Sequence, residues 1–441
     1  MNSDLHNPAP SDPAAWLATA TPAIRATLER CLDGHELTWQ EAMPFCHVEG
    51  DDLSALCRTA DELRRQQAGE VVTYVINRNI NFTNVCVKAC RFCAFSRTQR
   101  SEEGYFLDDE EVVRRAVEAH SLGATEVCIQ AGLAPGMDGD HYPRLCRAIK
   151  KAVPSLHLHA FSPEEIKYGA GLAKLSFREY LQSLKEAGLG SLPGTSAEVL
   201  DDAVRHRIAP GRITTAEWID VIRSAHSVGL PTTSTLMFGH IETDEQRLRH
   251  LDTLRTIQLE TGGFTEFVPL SFVHQEAPMH VRYLIPDLRP GPSADDVTRL
   301  YAIARILLGR SFRNIQVSWV KQGLEHAQAL LSCGVNDLGG TLINESISTA
   351  AGANHGQFVS PSRLRATIRA AGRIPAQRNT AYRLLRQYDG QSDEVDALDQ
   401  VSNPEALFGS YTVLTQDLRY RFRKRRADDE AAAAKAPKVP S

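Results

Sequence analysis

Residues 71–97 read VVTYVINRNINFTNVCVKACRFCAFSR, and this stretch decides how the rest of the chain is arranged. It opens with Val71 to Ile76, a run rich in β-branched side chains that favours an extended strand. A polar run, Asn77, Arg78 and Asn79, closes the strand, and a loop then sets Cys86, Cys90 and Cys93 in a C-x-x-x-C-x-x-C array. Spacing that short lets three thiolates converge on one point. Soft thiolates select zinc, copper(I) or iron–sulfur clusters. Structural zinc wants four protein ligands, and so does a cubane held by cysteine alone, so three thiols leave one position open. An open iron can bind a small chelating cofactor. The alternative is a partial zinc site completed by a distant His or Cys, for which six other cysteines are available.

Outward from that loop, strand and helix patterns alternate. A helix with acids in its first turn spans Asp108 to His120. Strand patterns follow at EVCIQAG from Glu126, LHLHAF from Leu156, GLGSLPG from Gly188, PTTSTLMFG from Pro231, FTEFVPLSF from Phe264 and NIQVSWV from Asn314, and a last apolar turn, GVNDLGGTLI, follows a helix over Gly323 to Ser332. About eight β/α units of this kind argue for a parallel sheet, and without a second nucleotide fingerprint a closed (β/α)8 TIM barrel is the expected architecture. Upstream, Thr38 with Glu41 forms a capping-box pattern, and residues 51–67 repeat Leu and Ala at helical spacing. The predicted organisation is a tail and lead-in over 1–36, a helical preface over 37–70 and a barrel core with C-terminal helices over 71–385. A C-terminal extension over 386–420 and a disordered tail over 421–441 complete it. Residues 363–387 are expected to form a helical, basic stretch with a solvated face, packed on the barrel end.

Composition narrows the partners. Over 441 residues the chain carries 42% hydrophobic residues, ample for a core, and a net charge of −5. That balance gives no electrostatic footprint for nucleic acid or an anionic membrane, so a small-molecule partner is favoured. The N-terminus lacks a basic n-region and an apolar core, and no stretch approaches the roughly 18 apolar residues of a membrane span, so a cytoplasmic location is expected. Nine cysteines, an odd number in a reducing compartment, argue against disulfides. Those outside the triad read as small buried hydrophobes.

A barrel also says where to look. Chemistry sits on the loops after the C-terminal ends of the strands. Those loops deliver the cysteines, then Gln130-Ala131-Gly132, His159 with Ser162-Pro163-Glu164, and a segment from Pro193 to Glu198. They continue with Phe238-Gly239-His240, Ser271 to Gln275, Asn336-Asp337 and Asn344-Glu345.

Several long strings carry a family resemblance. NxNFTNxCxxxCxFCAF, HAFSPEEI, GLGSLPGTSAEVLDD, TTSTLMFGH, FVPLSFVH, NDLGGTLINESIS and GRIPAQRNT, spread from about Leu37 to Tyr382, resemble the 4-hydroxyphenyl transferase half of FO synthase, a radical S-adenosylmethionine (SAM) enzyme family. The cysteine loop has that superfamily's spacing, with an aromatic, Phe92, before the third cysteine. One departure is QAG where a GG-containing version is more usual.

The resemblance implies that Cys86, Cys90 and Cys93 hold a [4Fe–4S] cluster whose fourth iron chelates SAM. Reduction then yields methionine and a 5′-deoxyadenosyl radical that acts on L-tyrosine. The Cα–Cβ bond breaks, the 4-hydroxybenzyl fragment joins 5-amino-6-(D-ribitylamino)uracil, and 2-iminoacetate leaves. A partner radical SAM subunit completes the deazaflavin FO, and a reducing electron donor is required. Phe92, Gly132 and Glu198 are expected at the cofactor, Gly132 by close backbone approach and Glu198 from the start of a helix. His159 and Glu164 are candidates for tyrosine, and Asn336, Asp337, Asn344 and Glu345 for the pyrimidine and its ribityl chain; His240 is a further candidate. Helix-end acids and turn-capping Asn pairs are the competing explanation for several of these. A radical SAM enzyme of the futalosine route to menaquinone is the enzyme rival, against which SLPGTSAE and NDLGGTLINES favour FO synthesis. A non-enzymatic iron–sulfur or zinc scaffold is the other.

Overall fold

The computed structural model of the chain describes residues 12–390 and 395–423. The expectations for residues 1–11 and 424–441 lie outside the described residues. Nine strands are named β1 (Val71–Val75), β2 (Asn77–Ile80), β3 (Glu126–Ile129), β4 (His157–Ala160), β5 (Thr232–Phe238), β6 (Phe264–Ser271), β7 (Asp337–Gly340), β8 (Ile374–Arg378) and β9 (Leu384–Gln387).

The polar run after Ile76 does not end the first strand, because Asn77 to Ile80 continue as β2. The two halves have different neighbours. β2 pairs in parallel with β3 and β3 with β4, while β1 pairs in parallel with β7. Single parallel bridges carry the ring onward from His159 to Ser191 and from Leu192 to Thr232, and β5 pairs with β6. Bridges from Phe267 to Ile315, Gln316 to Asp337 and Arg78 to Ile343 close it. The result is a (β/α)8 barrel in which two strand positions, at 191–192 and 315–316, are reduced to bridges. Glycines and a proline explain the first: Gly188, Gly190, Pro193 and Gly194 cannot sustain a ladder. At the second, the chain turns straight into helix Trp319–Leu330.

Helices outside the ring begin where the sequence supplies caps. Ser162, Thr214 and Thr243 each form a capping box, with Glu165, Glu217 and Gln246, and so does Thr38 with Glu41 in the preface. Helix Gly50–Ala68 of that preface packs on helix Ala294–Leu308. Among the described residues no helix is long and apolar enough to cross a membrane.

Two expectations for the C-terminal part are corrected. Residues 363–387 are helical only to Ala370; β8 and β9 follow as an antiparallel pair, with β8 parallel to β1. The basic residues there are only partly a solvated face: Arg363 and Arg383 are exposed, but Arg365 and Arg378 are buried and ion-paired to Asp396 and Asp337. The tail expected to be disordered from Arg421 begins as packed chain. Arg421 bridges Tyr105, Phe422 N–H donates to Gly104 O at 2.9 Å, and the Phe422 ring is buried 6.4 Å from Phe106.

Candidate active site

Inward-facing positions alternate along the strands, so Asn77, Asn79 and Asn81 point to one side, as do Glu126, Cys128 and Gln130, and Thr233, Thr235 and Met237. They enclose a cavity of about 400 Å³ that reaches from the cysteine loop to Glu126, Glu266 and Arg378. This volume suits one or two small molecules.

The cysteine loop is fixed by backbone. Cys86 N–H donates to Arg97 O at 3.0 Å, Val87 N–H to Leu133 O at 2.9 Å and Arg91 N–H to Ile208 O at 2.8 Å. Cys86, Cys90 and Cys93 all line the cavity. Burial pushes the Cys90 thiol up to about 12 and raises Cys86, with the Arg212 charge working against it at both. Neutral thiols in apolar surroundings become ligands only when a cation binds and displaces their protons. Among the described residues no group of three or more His, Cys, Asp or Glu side chains is drawn together to hold a metal ion, and the three thiols share one cavity wall without converging on a point. Two buried carbonyl oxygens beside the loop, Asn79 Oδ1 and Asn81 Oδ1, lack hydrogen-bond partners and line the same cavity. A triad of thiols with orphaned polar atoms behind it fits a soft cluster carrying a polar ligand.

Gly132 has a packing duty beside the one expected. A Cβ there would lie 2.3 Å from Val85 O, and its N–H donates to Thr83 O at 2.9 Å. Its missing side chain seats the entry to the cysteine loop, whatever it offers a ligand.

The rim of the cavity is charged. Arg212 Nη1 donates to Glu198 Oε1 at 2.8 Å and Nη2 to Ser196 Oγ at 2.7 Å, with the guanidinium 5.6 Å from the Phe92 ring centroid. Glu164 accepts from Ile213 N–H at 2.6 Å and stands 3.4 Å from both Lys88 Nζ and Arg212 Nε. Glu198 does not open a helix. It sits in the left-handed region at φ 45°, and Asp201 caps helix Asp202–Ile208 instead. On the opposite wall Glu345 accepts from Ser348 N–H at 3.0 Å, and Lys321 Nζ donates to Ser348 Oγ at 3.2 Å. Burial raises Glu345 and lowers Lys321, while the charge of each opposes the shift of the other.

Phe92, Gly132, Glu198, His159, Glu164 and Glu345 therefore meet around one cavity with the three cysteines. Asn336 does not: its Oδ1 accepts from Arg305 Nη2 at 2.8 Å and Ile315 N–H at 2.9 Å, on the far side of the strand from the cavity. Asn344, at φ 62°, accepts from Arg78 Nε at 2.9 Å and donates to Phe408 O and Gly409 O. Asp337 is paired to Arg378, and fully buried His240 accepts from Ile241 N–H at 2.8 Å and donates to Met237 O at 3.1 Å. All four serve the backbone or an ion pair. Lys88, Arg212, Lys321, Glu126, Glu266 and Arg378 were missed as cavity residues. For Glu126 a signal existed, the alternation Glu126-Cys128-Gln130; Arg212 follows a helix and nothing local marks it.

Family models match the Radical SAM superfamily over residues 80–254 and the CofH/MqnC C-terminal region over 261–390. The chain is 49% identical over 356 residues, 81% of its length and 96% of the relative, to the 5-amino-6-(D-ribitylamino)uracil–L-tyrosine 4-hydroxyphenyl transferase of Methanothermobacter thermautotrophicus. It is 46% identical to the protein of that name in Methanocaldococcus jannaschii, covering 79% of this chain and 97% of the relative. It is also 46% identical to FO synthase of Streptomyces coelicolor over 84% of this chain, but only 44% of that protein. In fold it resembles methylornithine synthase PylB (TM-score 0.63, 16% identity, 79% of this chain and 97% of that one). The hydrogenase maturase HydG of Carboxydothermus hydrogenoformans is comparable (TM-score 0.64, 16% identity, 82% and 80%). The chain belongs to the radical SAM superfamily, in the family of the 5-amino-6-(D-ribitylamino)uracil–L-tyrosine 4-hydroxyphenyl transferases.

Proposed function

We propose that the chain joins the 4-hydroxybenzyl group of L-tyrosine to 5-amino-6-(D-ribitylamino)uracil, releasing 2-iminoacetate, in formation of the deazaflavin FO. The observation that carries this reading is the meeting of Cys86, Cys90 and Cys93 with two sets of polar groups in one cavity, a rim of paired cations and carboxylates and a carboxylate-rich floor. A zwitterion and a polyhydroxylated pyrimidine need both, and the relatives' names supply the same pair of substrates.

The three cysteines would hold a [4Fe–4S] cluster, with SAM beside Phe92, Glu198 and the orphaned oxygens of Asn79 and Asn81. When bound, these groups supply a 5′-deoxyadenosyl radical together with methionine. The protein orients the reactants and keeps out water and stray hydrogen donors, which the radical would otherwise consume. Lys321, Lys88 and Arg212 offer cations to carboxylates at the rim, and Glu164, Glu198 and Glu345 offer acceptors to ammonium groups. His159, which burial pushes down to about 4, stays neutral at physiological pH and adds a hydrogen-bonding ring nitrogen without charge. The benzylic carbon gains its new bond to the pyrimidine as the Cα–Cβ bond of tyrosine breaks. An electron donor and a partner radical SAM subunit that closes the deazaflavin ring complete the scheme.

The test is reconstitution under anaerobic conditions with dithionite, SAM, tyrosine and the diaminouracil. 5′-Deoxyadenosine should appear with a 4-hydroxybenzyl adduct of the pyrimidine, and omitting tyrosine should abolish the adduct. A product formed only when an enolpyruvyl benzoate replaces tyrosine would assign the chain to the menaquinone route instead.

A further inference from the structure

The bottom of the cavity holds charged groups to which no step above gives a role. Glu126 on β3 and Glu266 on β6 face inward and are 4% and 7% exposed. Glu126 accepts from Asn77 Nδ2 at 3.0 Å and from Thr380 Oγ1 at 2.6 Å. Glu266 Oε2 accepts from the Tyr382 hydroxyl and lies 3.5 Å from Arg378 Nη2, while its Oε1 accepts no hydrogen bond among the described residues. Arg378 is already engaged at two points by Asp337, through Nε to Oδ2 at 2.5 Å and Nη2 to Oδ1 at 3.0 Å. One cation thus stands among three carboxylates. Burial, joined by the charges of Asp337 and Glu126, pushes Glu266 up to about 7, the behaviour of a carboxylate short of donors. Deep placement of such a group without a ligand is costly, so the floor calls for a molecule rich in N–H and O–H and free of negative charge.

We propose that this floor seats the diaminouracil, whose amino groups, ring N–H and ribityl hydroxyls donate to Glu126 and Glu266, and that tyrosine lies above it at the rim, where cations and carboxylates stand side by side. The assignment rests on the substrate pair proposed above. Of that pair only the diaminouracil carries many donors and no anionic group. A tyrosine carboxylate at the floor would meet Glu126, Glu266 and Asp337 around the one charge of Arg378, whereas the rim sets Lys88, Arg212 and Lys321 beside Glu164, Glu198 and Glu345 and so offers a partner to both the carboxylate and the ammonium of a zwitterion. The order also places tyrosine between the cysteine loop and the pyrimidine, so a benzylic fragment freed from it is released next to its acceptor. Because β8 and β9 supply Arg378, Thr380 and Tyr382 from one hairpin, the seat is built by the segment that follows the barrel ring itself.

The experiment is calorimetric titration of the reconstituted holoenzyme with SAM and no reductant, using the diaminouracil and tyrosine separately. Glu266→Gln and Glu126→Gln, checked for iron content and thermal midpoint, should weaken diaminouracil binding roughly tenfold or more and leave tyrosine within about twofold, because each removes a charged acceptor only that ligand meets. A parallel measurement needs no variant: hydrogen exchange in the wild type should slow across 374–387 with the diaminouracil and not with tyrosine. Unchanged diaminouracil affinity in both variants, or exchange protection of 374–387 by tyrosine alone, would overturn the placement. If the wild type binds no diaminouracil at all, the substrate reading falls and this placement with it; if it binds and the floor is indifferent, only the placement falls.

Discussion

Position 132 shows how little room the cluster loop leaves. A methyl group there would stand 2.3 Å from the Val85 carbonyl oxygen and 2.8 Å from its carbon, both backbone atoms one residue before Cys86. Gly132→Ala is therefore expected to cost about 1–3 kcal/mol by overpacking and to lower the iron retained after anaerobic reconstitution, read by iron analysis and thermal melting. Normal iron content and an unchanged midpoint would contradict it. Cys90→Ala should go further and abolish the cluster, from about four irons per chain to none; a full complement in that variant would rule out the cysteine triad as its ligands. At this scale the sequence was legible where chemistry is local. Three thiols on eight residues announce themselves, as does the Thr38–Glu41 capping box. Arg212 and Lys321 carry no such mark, because the barrel brings them to the cysteines from distant loops. Asn336 and Asn344 misled for a physical reason: an Asn beside an acid is equally suited to a ligand and to backbone groups or a neighbouring arginine, and here Arg305 and Arg78 claimed them.

Two elements hold the site from outside. His250, on helix Asp244–Thr261, accepts from Leu200 N–H through Nδ1 at 3.0 Å and donates from Nε2 to Thr235 O at 3.0 Å, tying the loop of Glu198 to β5. Burial pushes it down to about 3 from 6.5, and protonating Nδ1 would set two donors against each other. Since the folded value is depressed, the unfolded chain binds the proton first. Stability present above pH 6.5 should fall as pH drops from 6.5 toward 3, by up to about 1.4 kcal/mol per unit from this group. His250→Gln should show a shallower fall over that window in denaturant titrations, and an identical slope would count against the argument. The second element is the segment Tyr420 to Phe422, which adds to the edge at Gly104 to Phe106. Phe422→Ala should destabilise by about 3 kcal/mol, measured by urea unfolding, and a loss under about 1 kcal/mol would show that the contact is incidental. Strands β1, β3, β4, β5 and β6 were readable because each alternates or is rich in apolar and β-branched residues, whereas the polar NRNI of β2 and the basic run holding β8 and β9 gave no such pattern. Phe422 was not, because a single aromatic in RFRKRR has no periodicity to report it.

Across the whole molecule, charge is arranged differently at the two ends of the cavity. Near the cysteine loop Lys88, Arg212 and Lys321 stand beside Glu164, Glu198 and Glu345, whereas at the far end Glu126, Glu266 and Asp337 surround Arg378. That division was hidden in the sequence, since the hairpin β8–β9 read as a continuation of a helix and its arginine as a solvent-facing charge. Only the ring closure, with β8 laid beside β1, turns Arg378 inward. A net charge of −5 says nothing about such an arrangement, because it averages over where the individual charges sit. The placement proposed above would line up a radical source, a bond to break and an acceptor along one axis of the barrel. Carbon tracing examines that sequence of events directly. With the reconstituted enzyme, dithionite, SAM and the diaminouracil, tyrosine labelled with ¹³C at Cβ should give a pyrimidine adduct heavier by one mass unit. Tyrosine labelled at Cα should give an unlabelled adduct and place its label in 2-iminoacetate or the glyoxylate formed from it. An adduct that keeps both carbons, or takes neither, would show that the Cα–Cβ bond is not the one this protein breaks.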